Sequence, residues 1–504
     1  MENRPLLYYQ QIRIFPVIIS FMIHNPIIPG FNPDPSITFD GKRYIIATST
    51  FEYYPGIALY TSEDLSVWKY ETSVMTSANG FSLRGVKNSS GLYAVTIRFH
   101  SGRYYAVTTN KNGFGNFVSH ADSLAGPWTE PLFIHEDGID PSLLFLPDGS
   151  CFYTQNGKGG LFGAFIDPDS GKLLEPLRLL SPGLTGNATE APHIYMKDGL
   201  FYLVFAEGGT EYGHHEVAGR SESVYGPYEL HKTPILSHVG RKRHMIQATG
   251  HADLLELENG SWIAVFLAIR VPGRAHLHNL GRETFMAEVT WEDGWPVIGH
   301  GGEIELEEES FIETVPMKPD YISFHQDLPD TSVLRLRAEH ASRYERCIDS
   351  LLIHGGDELS KDMGEPASLL LRQPEFESVF SADLRCDETL TGCAGITVFY
   401  NSDYHADLCL ERAGEEIRVS FRRKIHDLET AVLKKTINPG HSVHLEVRTG
   451  RQWYVFFADG EEIGRAAMAS FATEGTMYMT FTGTLIGIFA ENGDGIFENG
   501  FGFI

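Results

Sequence analysis

One phrase recurs five times between Phe31 and about position 270: a small or acidic residue, a short apolar run, a glycine turn, then a second run rich in aromatics. The first copy sets Asn32-Pro33-Asp34-Pro35-Ser36-Ile37 ahead of Gly41-Lys42-Arg43-Tyr44-Ile45-Ile46. The second sets Ala94-Val95-Thr96-Ile97 ahead of Gly102-Arg103-Tyr104-Tyr105. The others open with Ile139-Asp140-Pro141-Ser142-Leu143, Glu190-Ala191-Pro192-His193-Ile194 and His251-Ala252-Asp253-Leu254. Aligned on Ile37, Ile97, Leu143, Ile194 and Leu254, the copies stand 46 to 60 residues apart. A four-stranded propeller blade takes roughly 40–50 residues, so the spacing predicts five blades. Radial repetition aims the start of each innermost strand at one axis. That would gather Asp34, Asp140 and Glu190 around a central hole, with His251 opposite.

The repeats occupy about residues 24–315 of a 504-residue chain, after an N-terminal extension of residues 1–23. An acidic stretch at 303–309, followed by Pro316 and Pro319, marks the end of the propeller. From 325 to 504 short apolar–polar alternations return, as in Ile417-Arg418-Val419-Ser420-Phe421, separated by Gly, Asp or Asn. Many short strands at such spacing predict a β-sandwich. No amphipathic helix is evident, so the expected class is all-β: a five-bladed β-propeller followed by a C-terminal β-sandwich.

A net charge of −26 argues against nucleic acid and anionic membrane as partners, because binding polyphosphate needs a basic face. A neutral oligosaccharide fits better. The five cysteines have no C-x-x-C spacing, which points to free thiols rather than a disulfide framework or a zinc site. Residues 12–23 are largely apolar and follow a lightly basic start, but they lack a small-x-small cleavage site and contain Pro16. Asn187 heads an Asn-x-Thr triplet three residues before Glu190, where a glycan would crowd the cleft. A cytoplasmic chain is expected, or a secreted one if the apolar stretch acts as a signal. No feature of the sequence sets an oligomeric state.

Asp34 lies between two prolines, which hold the backbone extended and withhold a ladder donor, so its carboxylate belongs at a strand end. Asp140 repeats the same Asp-Pro-Ser triplet in another blade. Glu190 is flanked by small and apolar groups, and desolvation near two other acids raises a carboxyl pKa. That suits a general acid, leaving Asp34 as base. Inverting glycosidases need such a pair about 6.5–9.5 Å apart, with room for a water, and two blades of a propeller can supply that span.

Several segments together resemble glycoside hydrolase family 43, in its β-xylosidase and α-L-arabinofuranosidase branch. They are 25–37, Phe51-Glu52-Tyr53-Tyr54-Pro55-Gly56, Gly138-Ile139-Asp140-Pro141-Ser142, Thr189-Glu190-Ala191-Pro192 and Leu280-Gly281-Arg282-Glu283-Thr284-Phe285. A weaker likeness extends into the sandwich through 395–401 and Phe481-Thr482-Gly483. The resemblance implies Asp34 as general base, Asp140 as pKa modulator and Glu190 as general acid. It also implies Arg282 as a binder of sugar hydroxyls, Phe31 as a wall of the non-reducing-end subsite, and Thr210 and Phe481 as further pocket residues. His251 matches a central histidine that in some members helps bind a metal or water. No metal or other cofactor is expected to carry the chemistry, though the match leaves room for a structural calcium ion near His251. Where the family usually has Trp-Ala-Pro in the second blade, this chain has Tyr93-Ala94-Val95, so the sugar-stacking surface is smaller and carries a hydroxyl. The expected activity is exo-acting, inverting release of terminal xylose or arabinose from plant cell-wall oligosaccharides. The alternatives are an arabinan-cleaving endo-enzyme or a non-catalytic carbohydrate-binding propeller.

Overall fold

A computed structural model describes residues 21–273, 276–325 and 332–504. Most of the N-terminal extension considered above, up to position 20, lies outside the described residues. The described chain is all-β, interrupted only by short 3-10 turns, and none of its helices is long and apolar enough to cross a membrane.

Five antiparallel sheets form the blades, built from strands consecutive in sequence except in blade one, where Tyr53–Tyr54 intervenes and pairs outside the blade. Their innermost strands are Ser36–Phe39, Gly91–His100, Ile139–Phe145, Glu190–Lys197 and Ile246–Glu256. Blades three and four each add one short strand, Arg178–Ser181 and Leu236–Ser237. The glycine turns predicted from sequence connect the first two strands of blades one and two, as in Gly91–His100 followed by Arg103–Lys111.

The ring is held by apolar packing between neighbouring blades. Ile45 and Leu59 of blade one pack with Ile97 and Phe117 of blade two, and Val107 and Val118 of blade two with Leu143 and Tyr153 of blade three. Phe152 and Leu161 meet Leu203 and Phe205, then Val204 and Ala218 meet Phe266 and Phe285. Blade five closes on blade one where Ile263, Val265 and Met286 bury Ile37, Ile46 and Tyr60. A strap completes the closure: Phe21–His24 pairs antiparallel with Glu307–Ser310. Trp68 and Trp128 are buried in these inter-blade cores.

The second region is a sandwich of a six-stranded and an eight-stranded sheet around one core that includes Leu369, Ile396, Leu408, Leu445 and Phe497. The alternation read in 417–421 holds: Ile417, Val419 and Phe421 face the core while Arg418 is exposed. The two domains are welded rather than tethered. Tyr53–Tyr54 of the propeller pairs with Arg335–Leu336, and Phe31, Phe51 and Tyr53 share a buried cluster with Leu336, Leu370, Phe399 and Phe489. At one point the backbones nearly touch: a Cβ on Gly281 would lie 2.8 Å from the Gly483 Cα, and one on Gly483 would lie 2.2 Å from the Leu280 carbonyl oxygen. Only glycine fits at both positions, and this contact sets the loop bearing Phe481 against Arg282.

Candidate active site

The innermost strands are irregular where they reach the mouth of the ring. Ladder registers shift between Ile139 and Ser142, between Glu190 and His193, and twice between Gln247 and Asp253. Asp34, Asp140, Ala191 and His251 all have left-handed backbones, with φ of 54°, 53°, 55° and 55°, so Asp34 is not extended as its flanking prolines predict; the turn into the strand overrides the proline preference. Such conformations are uncommon outside glycine and cost about 1–3 kcal/mol each, concentrating where function requires them. Here they act as bulges that re-aim a side chain. In blades one, three and four the redirected or adjacent group is a carboxyl.

The result is a small recess of about 80 Å³ lined by Asp34, Asp140, Glu190, His251, Thr210 and Arg282, with Phe51, Tyr93, Ala94, Ile139 and Phe481 as apolar walls. Arg282 is its organising cation. Its Nη1 donates to Asp34 Oδ1 at 2.6 Å and to Thr210 Oγ1 at 3.1 Å, and Nη2 donates to the Phe481 carbonyl at 3.3 Å. The guanidinium lies 5.5 Å from the Phe51 ring and 5.8 Å from the Phe481 ring. Both Asp34 and Arg282 are buried, where an ion pair is weakly screened.

Asp140 is buried too, and its Oδ2 accepts the Ala191 N–H at 3.2 Å. That bond holds the bulge beside Glu190. Burial, followed by the charges of Glu190 and Asp34, pushes the Asp140 carboxyl well above the ordinary carboxylate range. Glu190 stays partly open, with 18% of its side chain exposed. His251 Nδ1 stands 4.0 Å from Asp34 Oδ1, and burial pulls its pKa down. Burial likewise pushes the Tyr93 phenol up to about 12, so it remains a neutral donor to the Ser89 carbonyl at 3.1 Å.

Below this ring of acids a second polar layer plugs the axis, with one residue from each blade. Arg98 of blade two donates to both oxygens of Asp253 in blade five, at 2.7 and 2.9 Å. Ser36 of blade one donates to the same carboxylate at 2.5 Å. His193 of blade four meets Arg98 Nη2 at 3.1 Å and the Ser142 hydroxyl of blade three at 2.9 Å. Burial drives the His193 pKa down to about 3, so its imidazole is neutral. Pairing and hydrogen bonding offset much of the desolvation cost of holding these charges at the centre of the ring.

The sequence profile of glycosyl hydrolases family 43 matches residues 23–296, and that of the β-xylosidase C-terminal concanavalin A-like domain matches 334–499. The chain belongs to glycosyl hydrolases family 43. It is 33% identical over 489 residues to the non-reducing end α-L-arabinofuranosidase BoGH43B of Bacteroides ovatus, covering 93% of this chain and 91% of that one. A xylosidase/arabinosidase of Butyrivibrio fibrisolvens is 32% identical over 422 residues, 78% of this chain and 81% of that protein. Among solved structures, a xylan β-1,4-xylosidase from Bacillus halodurans superposes with a TM-score of 0.87 at 28% identity, covering 95% and 99% of the two chains.

In this glycoside hydrolase the structure brings eight of the nine residues singled out from sequence to one recess: Asp34, Asp140, Glu190, Tyr93, Thr210, His251, Arg282 and Phe481. Phe31 is the exception. It is 0% exposed and does not reach the recess. Its ring stands 6.0 Å from that of Phe51, which forms the wall instead. The left-handed turn at Phe51, φ 52°, swings the second ring over the site and leaves Phe31 supporting it in the inter-domain core.

A calcium ion beside His251 does not fit this donor set. The carboxylate within ion-pair range of His251 is Asp34, already committed to Arg282. Among the described residues no group of three His, Cys, Asp or Glu side chains could hold a metal, and the axis below carries the Arg98 guanidinium. Two further features escaped the sequence reading. The axial plug has no local motif, since its members lie one to a blade. His214, whose Nε2 lies 3.4 Å from Glu190 Oε1, sits in the polar run Gly213-His214-His215-Glu216 that opens the third strand of blade four. The density of polar residues at that strand start was the available signal.

Proposed function

We propose that this family 43 enzyme removes a terminal pentose, xylose or arabinose, from the non-reducing end of plant cell-wall oligosaccharides by single displacement with inversion. The observation that carries this reading is three carboxyl groups on three blades facing one recess, one bound to a buried arginine and one strongly raised. Asp34, held by Arg282, takes a proton from water as its oxygen bonds to the anomeric carbon. The glycosidic C–O bond breaks as Glu190 gives its proton to the leaving oxygen. Asp140 orients Glu190 through the Ala191 N–H and adds the negative field that favours a proton on the Asp140–Glu190 pair. Arg282 and Thr210 are donors for sugar hydroxyls. Substrate and water supply all reacting atoms, and no cofactor takes part.

Exo action is supported by the size of the recess and its roof. Phe51 and Phe481 stack with ring centroids 5.9 Å apart, closing one end behind a single ring, where an endo-acting arabinan enzyme needs a groove open at both ends. The test is Asp34→Asn and Glu190→Gln with aryl β-xyloside and aryl α-arabinofuranoside substrates. Each variant is expected to lose at least about a hundredfold in kcat, in line with the usual worth of general acid–base catalysis. Glu190→Gln should keep the parent melting temperature, whereas Asp34→Asn, which leaves the buried Arg282 without its counter-charge, should melt lower while still folding. Turnover near the parent level in either folded variant would refute the assignment.

A further inference from the structure

We infer that His214 is a positioning residue for Glu190, presenting Nε2 as the acceptor that keeps a proton on the facing carboxyl oxygen until the leaving group takes it. This rests on the reading of Glu190 as general acid.

The tautomer follows from the surroundings of the ring. His214 Nδ1 faces the Ala248 carbonyl at 3.4 Å, and a carbonyl can only accept, so the imidazole hydrogen belongs on Nδ1. Ala248 is itself left-handed, φ 53°, which turns that carbonyl out of the blade-five ladder and towards the ring. A neutral imidazole protonated at Nδ1 has a lone pair at Nε2. That atom is buried and has no hydrogen-bond partner, and its neighbour is Glu190 Oε1 at 3.4 Å. A carboxylate there would set lone pair against lone pair in a water-poor site. One proton between the two atoms converts the clash into an attraction.

The ring cannot swing away. Its side chain is 0% exposed, and a Cβ on Gly250 would lie 2.8 Å from its Cε1 and Nδ1, so the imidazole rests flat on the Gly250 backbone. The charged and titratable groups around it are mostly acidic. Glu190 and the buried Glu216 belong to its own blade, whose Glu216 accepts the Ala252 N–H at 3.1 Å. His251 comes from blade five, Asp140 and Asp34 lie beyond Glu190 on blades three and one, and Arg282 is the single cation among them.

The experiment compares two aryl pentosides in the full-length enzyme. A phenyl leaving group needs a proton, whereas a 2,4-dinitrophenyl group departs as the anion. His214→Asn keeps a donor for the Ala248 carbonyl and deletes Nε2. We expect kcat/KM on the phenyl substrate to fall roughly ten- to a hundredfold, a fraction of the range that general acid catalysis spans, with a much smaller fall on the dinitrophenyl substrate. Gly250→Ala, which displaces the ring, should give the same selectivity and covers the case in which His214→Asn fails to fold. Equal losses on both substrates, or none on either, would overturn the inference. Glu190→Gln separates the two layers of the argument. If it lacks leaving-group selectivity, the general-acid reading itself fails; if it has the selectivity and both His214→Asn and Gly250→Ala lack it, only the role of His214 fails.

Discussion

Arg282 of the propeller donates through Nη2 to the backbone carbonyl of Phe481 in the sandwich, while Nη1 of the same guanidinium holds Asp34. The position of the Asp34 carboxylate is therefore tied to the second domain. The glycine contact between Gly281 and Gly483 brings the two backbones close enough for this bond, and Glu474 reinforces it by accepting from Tyr212 and from the His278 N–H. The sandwich thus acts as one wall of the catalytic pocket.

Removing that wall should be read first in binding. Phe481→Ala deletes a ring that stacks on Phe51 and packs beside Arg282. Truncating a buried aromatic costs about 3–5 kcal/mol where it is fully enclosed, and Phe481 is only partly so. We expect a rise in KM of about tenfold or more for aryl pentosides, with a smaller effect on kcat, measured by steady-state kinetics.

Arg282 tests the ion pair. Replacing it with Met leaves Asp34 buried without a counter-charge, a change that typically costs about 3–5 kcal/mol. Both stability and kcat/KM should fall, and Arg282→Lys should recover only part of either, since a point charge cannot serve Asp34, Thr210 and the Phe481 carbonyl together. Thermal melts and kinetics on the two variants check this.

Asp140 gives a stability signature with a definite sign. Its folded-state pKa is raised above the unfolded value, so folding is favoured most below about pH 3.8, the ordinary aspartate value, and loses stability as pH rises through the folded value. Asp140→Asn removes the charge while keeping an acceptor for the Ala191 N–H. The variant should melt higher than the parent at pH 7 and no higher at pH 3.5, at the expense of activity, as strained sites trade stability for function.

Glu52 carries the same logic at the domain seam, away from the reacting groups. Burial raises its carboxyl from 4.5 to about 7, against the opposing pull of the Arg337 guanidinium. The group favours folding below pH 4.5 and loses that contribution as pH rises through about 7. At 1.36 kcal/mol per unit, Glu52→Gln should stabilise the protein by up to about 3 kcal/mol at pH 8.5 and hardly at all at pH 4.5. Chemical denaturation at the two values measures it.

The blade count and the three acids were legible because each blade repeats the same local chemistry: a left-handed or proline-flanked strand start, an apolar inner strand and a turn. Asp34 and Asp140 even share the triplet Asp-Pro-Ser. What the sequence hid were choices made between segments. Phe31 and Phe51 are both aromatics next to strand starts, and only the backbone turn at Phe51 decides which ring forms the wall. Arg98, Asp253 and His193 look like ordinary polar residues on apolar strands until the ring closes and sets them 2.7 to 3.7 Å apart. His214 gains meaning only from a carbonyl and a glycine that blade five supplies.

Because the axis is filled by Arg98 and His251 lacks a ligand set, exhaustive dialysis against a chelator should leave kcat and melting temperature unchanged, and added calcium should restore nothing. Activity lost to chelation and recovered with calcium would place a metal where the donor arrangement gives it no seat.

The most direct test of a base on blade one acting opposite an acid on blade four is proton NMR of the first sugar released from an aryl β-xyloside or an aryl α-arabinofuranoside, recorded before mutarotation. The expected product is the anomer opposite to that of the substrate. Release of the same anomer would require a covalent glycosyl-enzyme and would contradict the roles given to Asp34 and Glu190.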